Sequence, residues 1–203
     1  MTSSRPGQIW KAHAVEIRTA RLLLRPVTEA DADSVQTYRG DPVVAAYLTH
    51  DPFDLEQARQ FVAQAEALWS TADDERFNLL FAVVLDGAVI GDVHAWNTAE
   101  SLQPASPDST DVWIGYASDA HHQGRGYAIE AVRALVDWLF ARGARTLFAN
   151  YYLDNTSSRR LLDRLGFEEV MRYTPEEDVC GKHAASCRMR LDGQRHGAAT
   201  ITL

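Results

Sequence analysis

Cysteine is scarce in this chain of 203 residues: there are two, Cys180 and Cys187. Two thiols cannot build a disulfide framework, so packing must hold the core and a reducing cytoplasm is the expected home. No apolar run approaches a membrane span, so no membrane partner is expected. The opening residues, MTSSRPGQIWKAH, lack the apolar stretch of a secretory signal. A surplus of basic charge is missing as well. The formal net charge is −8, which argues against nucleic acid as a partner, because that affinity rests on neutralising phosphates. An acidic surface favours cationic ligands instead, amines among them. No glycine loop continues into Gly-Lys-Ser/Thr, which excludes a P-loop nucleotide site.

What is present is ordinary globular material. At 46% hydrophobic and 24% charged residues, the chain can bury one substantial core. Residues 1–16 read as a lead-in, 17–191 as a single domain and 192–203 as a tail. TARLLLRPVTEADADSVQTY gives a strand and a helix, with Thr28 as N-cap and Asp31 three residues on. DPFDLEQARQFVAQAEALW is a second helix, capped by Asp54 with Gln57, and its buried stripe is Leu55, Ala58, Val62, Ala65 and Trp69. FNLLFAVVLDGAVIGDVHAW reads as two strands turned at Asp86-Gly87. A polar loop with two prolines leads to the strand DVWIGYAS. A helix follows, ended by Gly143, then the strand RTLFANYY, the short helix NTSSRRLLDRLGF, and the strands FEEVMRY and AASCRMRLD. This order predicts an α/β fold (an α+β mixed sheet) of about seven strands with helices on both faces. The strands on either side of the helix after Gly126 should form a parallel, right-handed crossover.

The stretch SDAHHQGRGYAIEA places Gly124 and Gly126 where a helix starts. The first N–H groups of a helix lack internal partners and carry the positive end of its dipole. Bare glycine backbone there admits a phosphate, and Gln123 and Arg125 add side-chain donors. A dinucleotide fold would want a third glycine where Ile129 stands, and would place the loop after a first strand. A simple turn before a helix is the competing account of the two glycines.

Gln123-Gly124-Arg125-Gly126-Tyr127-Ala128 resembles the Gln/Arg-x-x-Gly-x-Gly/Ala pyrophosphate motif of the GNAT superfamily of acyl-CoA-dependent N-acetyltransferases. NTSSRRLLDRLGF is similar to that superfamily's second cofactor-side segment. TARLLLRPVTEADA resembles the start of its Rim-type branch, which includes ribosomal-protein N-terminal acetyltransferases. The resemblance implies a single GNAT-like domain using acetyl-CoA as cosubstrate and no metal. The pyrophosphate would sit on the amides of Gly124 to Ala128, and the pantetheine arm would pair with Tyr116, Ala117 and Ser118 like an added strand. The amine acceptor, a protein N-terminus, a small metabolite or an antibiotic, would attack the thioester directly. A backbone N–H near Ala117 would hold the oxyanion.

The resemblance also assigns site residues. Many members carry a Tyr on the helix after the crossover; Leu162 stands at that position here. The Rim-type pattern has an earlier Ser, matched by Ser158, whose expected role is a hydrogen bond to the leaving sulfur. Asn155 resembles the residue that anchors the cofactor arm, and is also a natural N-cap for a helix with Ser158 at its third position. Where Rim-type enzymes carry a Glu base before the IGY stretch, this chain has Trp113. Asp111, two residues earlier and on the same strand face, is the first choice for the base. Asp92, His94 and Glu130 are further candidates, each with a structural alternative.

Other features point elsewhere less strongly. Cys180, His183 and Cys187 fit no standard zinc spacing. His121-His122 reads as a loop pair and Arg159-Arg160 as a solvated helix face, although one guanidinium could approach the cofactor phosphates. The aromatic residues are core, acceptor-site lining, or both. A non-catalytic acyl-CoA-binding module is the competing function, and a dinucleotide oxidoreductase a distant third. Homodimerisation is a habit of the family that the resemblance carries along.

Overall fold

A computed structural model describes residues 15–72, 76–97, 111–178 and 180–194. The start of the lead-in, the end of the tail and the polar loop at 98–110 lie outside the described residues. Eight strands form one sheet in the order β1-β2-β3-β4-β5-β6-β8-β7. They are β1 (Ile17–Arg18), β2 (Leu23–Pro26), β3 (Asn78–Leu85), β4 (Ala88–Trp96), β5 (Asp111–Ser118), β6 (Thr146–Tyr152), β7 (Glu168–Tyr173) and β8 (Ser186–Asp192). The helices are α1 (Ala32–Arg39), α2 (Pro42–Ala45), α3 (Leu55–Thr71), α4 (Tyr127–Ala141) and α5 (Thr156–Arg164). The two-residue β1 and the single turn of α2 go beyond the sequence reading. α2 does carry a start signal, since Asp41 caps it by accepting from the Val43 N–H at 2.8 Å and Pro42 opens it.

Local chemistry explains the main elements. Asp86 and Gly87 both have positive φ, 49° and 86°, the geometry of a tight hairpin turn between β3 and β4. α3 starts in a reciprocal capping box: the Gln57 N–H donates to Asp54 at 2.8 Å and the Asp54 N–H to Gln57 at 2.9 Å. Its stripe of Ala58, Val62, Ala65 and Trp69 is buried, while Leu55 at the first position is exposed. β5 and β6 are parallel and joined through α4, the predicted crossover.

The sheet separates two apolar layers. α4 and α5 pack Val132, Leu135, Leu139 and Leu162 against Phe81, Val93, Ile114 and Leu147 on one face. α1 and α3 pack Val35, Tyr38, Ala58 and Val62 against Leu80, Ala82 and Ala117 on the other. α1 and α3 contact β3, β4 and the end of β5. The site builds up where β5 and β6 meet the starts of α4 and α5.

Candidate acetyl-transfer site

The ladder between β5 and β6 has three residue pairs: Asp111 with Thr146, Val112 with Leu147, and Trp113 with Phe148. Beyond them Ile114–Ser118 pair with β4 alone and Ala149–Tyr152 with β8 alone. Two interior strands therefore part in the middle of the sheet. Their facing backbone groups need partners, and an extended ligand arm can supply them by adding as a strand.

The glycine loop stands at the mouth of this gap. β5 ends at Ser118, a 3₁₀ turn covers Ala120–His122, and α4 begins at Tyr127. Gly124 (φ 74°) and Gly126 (φ 81°) both lie in the left-handed region, which costs glycine nothing. A Cβ built on Gly124 would meet nothing within 4 Å, so the loop's outer surface is open. The cavity behind β5, lined by Gly91, Asp92, Ala117 and Ala131 among others, measures about 20 Å³. That holds roughly one water.

A clasp from the first strands holds the loop. Glu130, in the first turn of α4, accepts from Thr19 Oγ1 at 2.6 Å, the Arg21 N–H at 3.0 Å and Arg21 Nε at 2.7 Å. Arg21 Nη1 donates to the Arg125 carbonyl at 3.1 Å, and its guanidinium lies 4.5 Å over the Tyr127 ring. Desolvation opposes ionisation of Glu130, but the bonds from Thr19 and Arg21 outweigh it and hold the carboxyl below its usual range. Glu130 is thus engaged as an anchor. The sequence alone offers Glu130 as a base candidate or a charge on the helix dipole and does not single out Thr19 and Arg21 as its partners.

Three residues meet across the gap. Asn155 Oδ1 caps α5 by accepting the Ser158 N–H at 3.0 Å. Ser158 is buried, and its Oγ lies 2.7 Å from Tyr116 Oη. Burial pushes the Tyr116 phenol well above its ordinary pKa, so it stays protonated near neutrality. The sequence singled out Tyr116 for its backbone; the structure adds its side chain. Leu162, at the position the family resemblance assigns to a Tyr, is sealed in the core.

The opposite face of the same strands is aromatic. His94 and Trp96 (β4), Trp113 (β5) and Phe148 (β6) form a row with ring centroids 4.5, 6.5 and 5.2 Å apart in turn. Gly115 leaves the row room, since a Cβ there would come within 3.4 Å of the Trp96 ring. Trp69, Phe77 and Phe81 belong to the core, which separates the two uses of aromatics that composition leaves merged. Burial lowers the His94 pKa to about 4, and its ring nitrogen bonds the Asn78 side chain. Asp92 is consumed structurally: it accepts from Tyr38 Oη at 2.7 Å and from Arg39 Nε and Nη2 at 2.9 Å each. Asp111 stands at the closed end of the gap, opposite Thr146. Among the described residues no group of three His, Cys, Asp or Glu is placed to hold a metal ion, and both cysteines are free and buried. No helix among them is long and apolar enough to cross a membrane.

A gap between parallel strands with a glycine-started helix at its mouth is the geometry the family likeness implies. The acetyltransferase (GNAT) domain model matches residues 21–168. This chain belongs to the GNAT acetyltransferase family. An uncharacterized N-acetyltransferase, p20 of Bacillus licheniformis, is 31% identical over 153 residues, 74% of this chain and 81% of that protein. Among solved structures, Mycobacterium smegmatis RimJ in complex with CoA-disulfide superposes with a TM-score of 0.70 at 21% identity, covering 88% of this chain and 89% of that one. RimL, a ribosomal L7/L12 alpha-N-protein acetyltransferase in complex with coenzyme A, gives 0.73 at 17%, covering 88% and 98%. On this GNAT frame the predicted residues fall in three places. Gln123 to Ala128 form the mouth, with Tyr116, Ala117 and Ser118 along one edge. Asn155 and Ser158 stand across the gap. Asp111 is apart from both, at its closed end.

Proposed function

We propose that this acetyltransferase carries the acetyl group of acetyl-CoA to a primary amine, by direct attack in a ternary complex. The observation that carries this reading is the parting of β5 from β6 after Trp113 and Phe148, with α4 starting on two left-handed glycines at the mouth. Bound acetyl-CoA supplies an activated thioester, whose carbonyl carbon gains the amine nitrogen and loses the thiolate.

The chain's own residues do the rest. The amides of Gly124, Arg125, Gly126, Tyr127 and Ala128, with the Gln123 and Arg125 side chains, take the pyrophosphate at the helix dipole's positive end. Tyr116, Ala117 and Ser118 offer their strand edge to the pantetheine arm, and Asn155 anchors it from the other side. A backbone N–H near Ala117 faces the developing oxyanion. The Ser158 hydroxyl donates to the departing sulfur while Tyr116 Oη donates into Ser158 Oγ, so a chain of two hydroxyls replaces the missing helix tyrosine. Asp111 takes the amine proton through solvent. The acceptor is a protein N-terminus or a small-molecule amine, and the acidic surface suits either.

Calorimetric titration with acetyl-CoA, with NADH as control, tests the reading. Micromolar binding, on the order of −8 kcal/mol, followed by turnover on amines, is the expected result. Absence of acetyl-CoA binding would overturn it.

A further inference from the structure

Arg188 stands out among the arginines. Arg39 and Arg172 each turn the Nε and Nη2 side of the guanidinium onto both oxygens of one carboxylate, Asp92 and Glu169 respectively. Arg21 sets Nε and Nη2 on one oxygen of Glu130, and Arg25 holds both oxygens of Asp31 through Nη1 and Nη2. The Nε and Nη2 of Arg188 are buried and have no hydrogen-bond partner. These two N–H groups lie parallel and match the spacing of carboxylate oxygens.

The placement of this fork is specific. Arg188 is on β8, in register with Asn150, on the sheet face that carries the aromatic row. Its guanidinium crosses β6 and lies 5.0 Å from the ring centroid of Trp113, the residue at which the gap closes, and 5.1 Å from that of Tyr173. Two rings thus hold the charge in position without neutralising it. Nearby carboxylates are committed elsewhere. Asp178 accepts the N–H groups of Cys180 and Lys182 at 2.7 and 2.6 Å, Glu177 accepts the Thr174 N–H, and Glu169 holds Arg172. Other orphans flank the fork on the same face: Trp96 Nε1 from β4, Asn150 Oδ1 and Tyr152 Oη from β6, and Ser186 Oγ from β8 are buried without a hydrogen-bond partner. A desolvated guanidinium fork with no anion costs stability, so its retention is accounted for by an anion that arrives with the substrate.

We propose that Arg188 binds a carboxylate of the acceptor, so that the acceptor is a small molecule bearing both an amine and a carboxylate. This rests on the acetyl-transfer reading and narrows it. Arg188 reaches the Trp113 ring at the closed end of the gap. The aromatic row from His94 to Phe148 accommodates whatever joins amine and carboxylate.

Binding is measured apart from turnover. The wild-type protein, free and saturated with CoA, is titrated with L-serine and L-phenylalanine beside ethanolamine and 2-phenylethylamine, the same amines without the carboxylate. A neutral peptide amide with a free N-terminus completes the set. Tryptophan fluorescence reports the contact, since Trp113 lies under the guanidinium. The amino acids should give a saturable change, and the decarboxylated amines and the peptide should bind about ten- to a hundredfold more weakly. Arg188→Gln should abolish the difference. Arg188→Lys, which keeps the charge and loses the fork, should recover a minor part of it, with thermal melting confirming that both variants fold. Equal response to amines or peptide, or no Arg188-dependent response to either amino acid, overturns the carboxylate proposal. Acetyl-CoA calorimetry on the same samples stands apart: its failure would sink acetyl transfer, and the fluorescence result would still decide for or against an anion at Arg188.

Discussion

Tyr116 Oη and Ser158 Oγ lie 2.7 Å apart and join β5 to the start of α5 across the one stretch where the sheet has lost its ladder. The bond lies where the proposed reaction releases its thiolate. Serine alone is a poor acid, but a serine that accepts from a buried, protonated phenol is a better donor.

Replacing Ser158 by Ala should lower kcat by about 10- to 100-fold while leaving the acetyl-CoA dissociation constant within a few-fold. Tyr116→Phe should cost less. Because the two hydroxyls act in series, the double variant should be no slower than Ser158→Ala alone. Steady-state kinetics on the four proteins check this, and fully additive losses would show that the residues act separately.

The glycine loop makes a separate prediction. Gly124→Ala forces a Cβ into the left-handed region at a cost of about 1 kcal/mol, and that Cβ points into open space rather than into protein. The variant should fold with a small loss of melting temperature. Its acetyl-CoA affinity should fall about tenfold, since the added methyl occupies the pyrophosphate's approach. Unchanged affinity in the folded variant would remove the cradle. Glu130→Ala reaches the same loop from behind. It frees Arg21 and unfastens Arg125, so it should raise the KM for acetyl-CoA several-fold and leave kcat at saturation nearly unchanged.

Much of this was legible in the sequence because the signals are local. Asp54 with Gln57, Asp86 with Gly87, and Asn155 with Ser158 each satisfy backbone groups within a few residues, so spacing alone places the helix starts and the hairpin. The glycine loop proposed to take the pyrophosphate is likewise one contiguous stretch. What stayed hidden depends on contacts between distant segments. Nothing in the sequence pairs Thr19 and Arg21 with Glu130, or sets Arg39 against Asp92. Asp92 and His94 read as base candidates because residue type and strand face are visible but partners are not. Arg188 sits in a stretch of alternating arginines, and only the fold distinguishes the one whose fork is empty.

The Arg39 and Asp92 pair is nearly wholly buried, with side-chain exposures of 9% and 1%. Each nitrogen and carboxylate oxygen of the pair has a partner: Tyr38 adds a donor to Asp92, and Arg39 Nη1 donates to His50 Nε2 at 2.9 Å. Removing one partner strands the other charge. Asp92→Ala should therefore destabilise the fold by about 3–5 kcal/mol. Replacing both residues by apolar ones of similar volume should cost far less. Urea unfolding of the single and double variants checks the contrast, and comparable losses in both would show that the pair itself, rather than the orphaned charge, carries the stability.

His94 and His50 are expected to make stability depend on pH between neutrality and mild acid. The folded His94 has a pKa of about 4, against about 6.5 for an unfolded chain. Between those values the unfolded state binds the extra proton, so stability rises with pH across this window. It is fully present above about 6.5 and is lost as the pH falls toward 4. The loss is at most on the order of 3 kcal/mol, reduced by whatever solvent reaches the half-buried ring. His50 acts in the same direction: burial lowers its pKa, outweighing the bond to the Asp51 carbonyl that raises it. Asp31 belongs to a different window. Desolvation opposes its ionisation, but its bonds from Arg25 and Thr28 prevail and lower its pKa. Its contribution is therefore present above about 3.9 and lost only below that. Urea titrations at pH 7 and pH 4.5 should show a marked loss of stability in the wild type. The loss should be smaller in His94→Gln and nearly absent in the variant that also carries His50→Gln. A wild-type slope that survives both substitutions would assign the acid sensitivity to carboxylates instead.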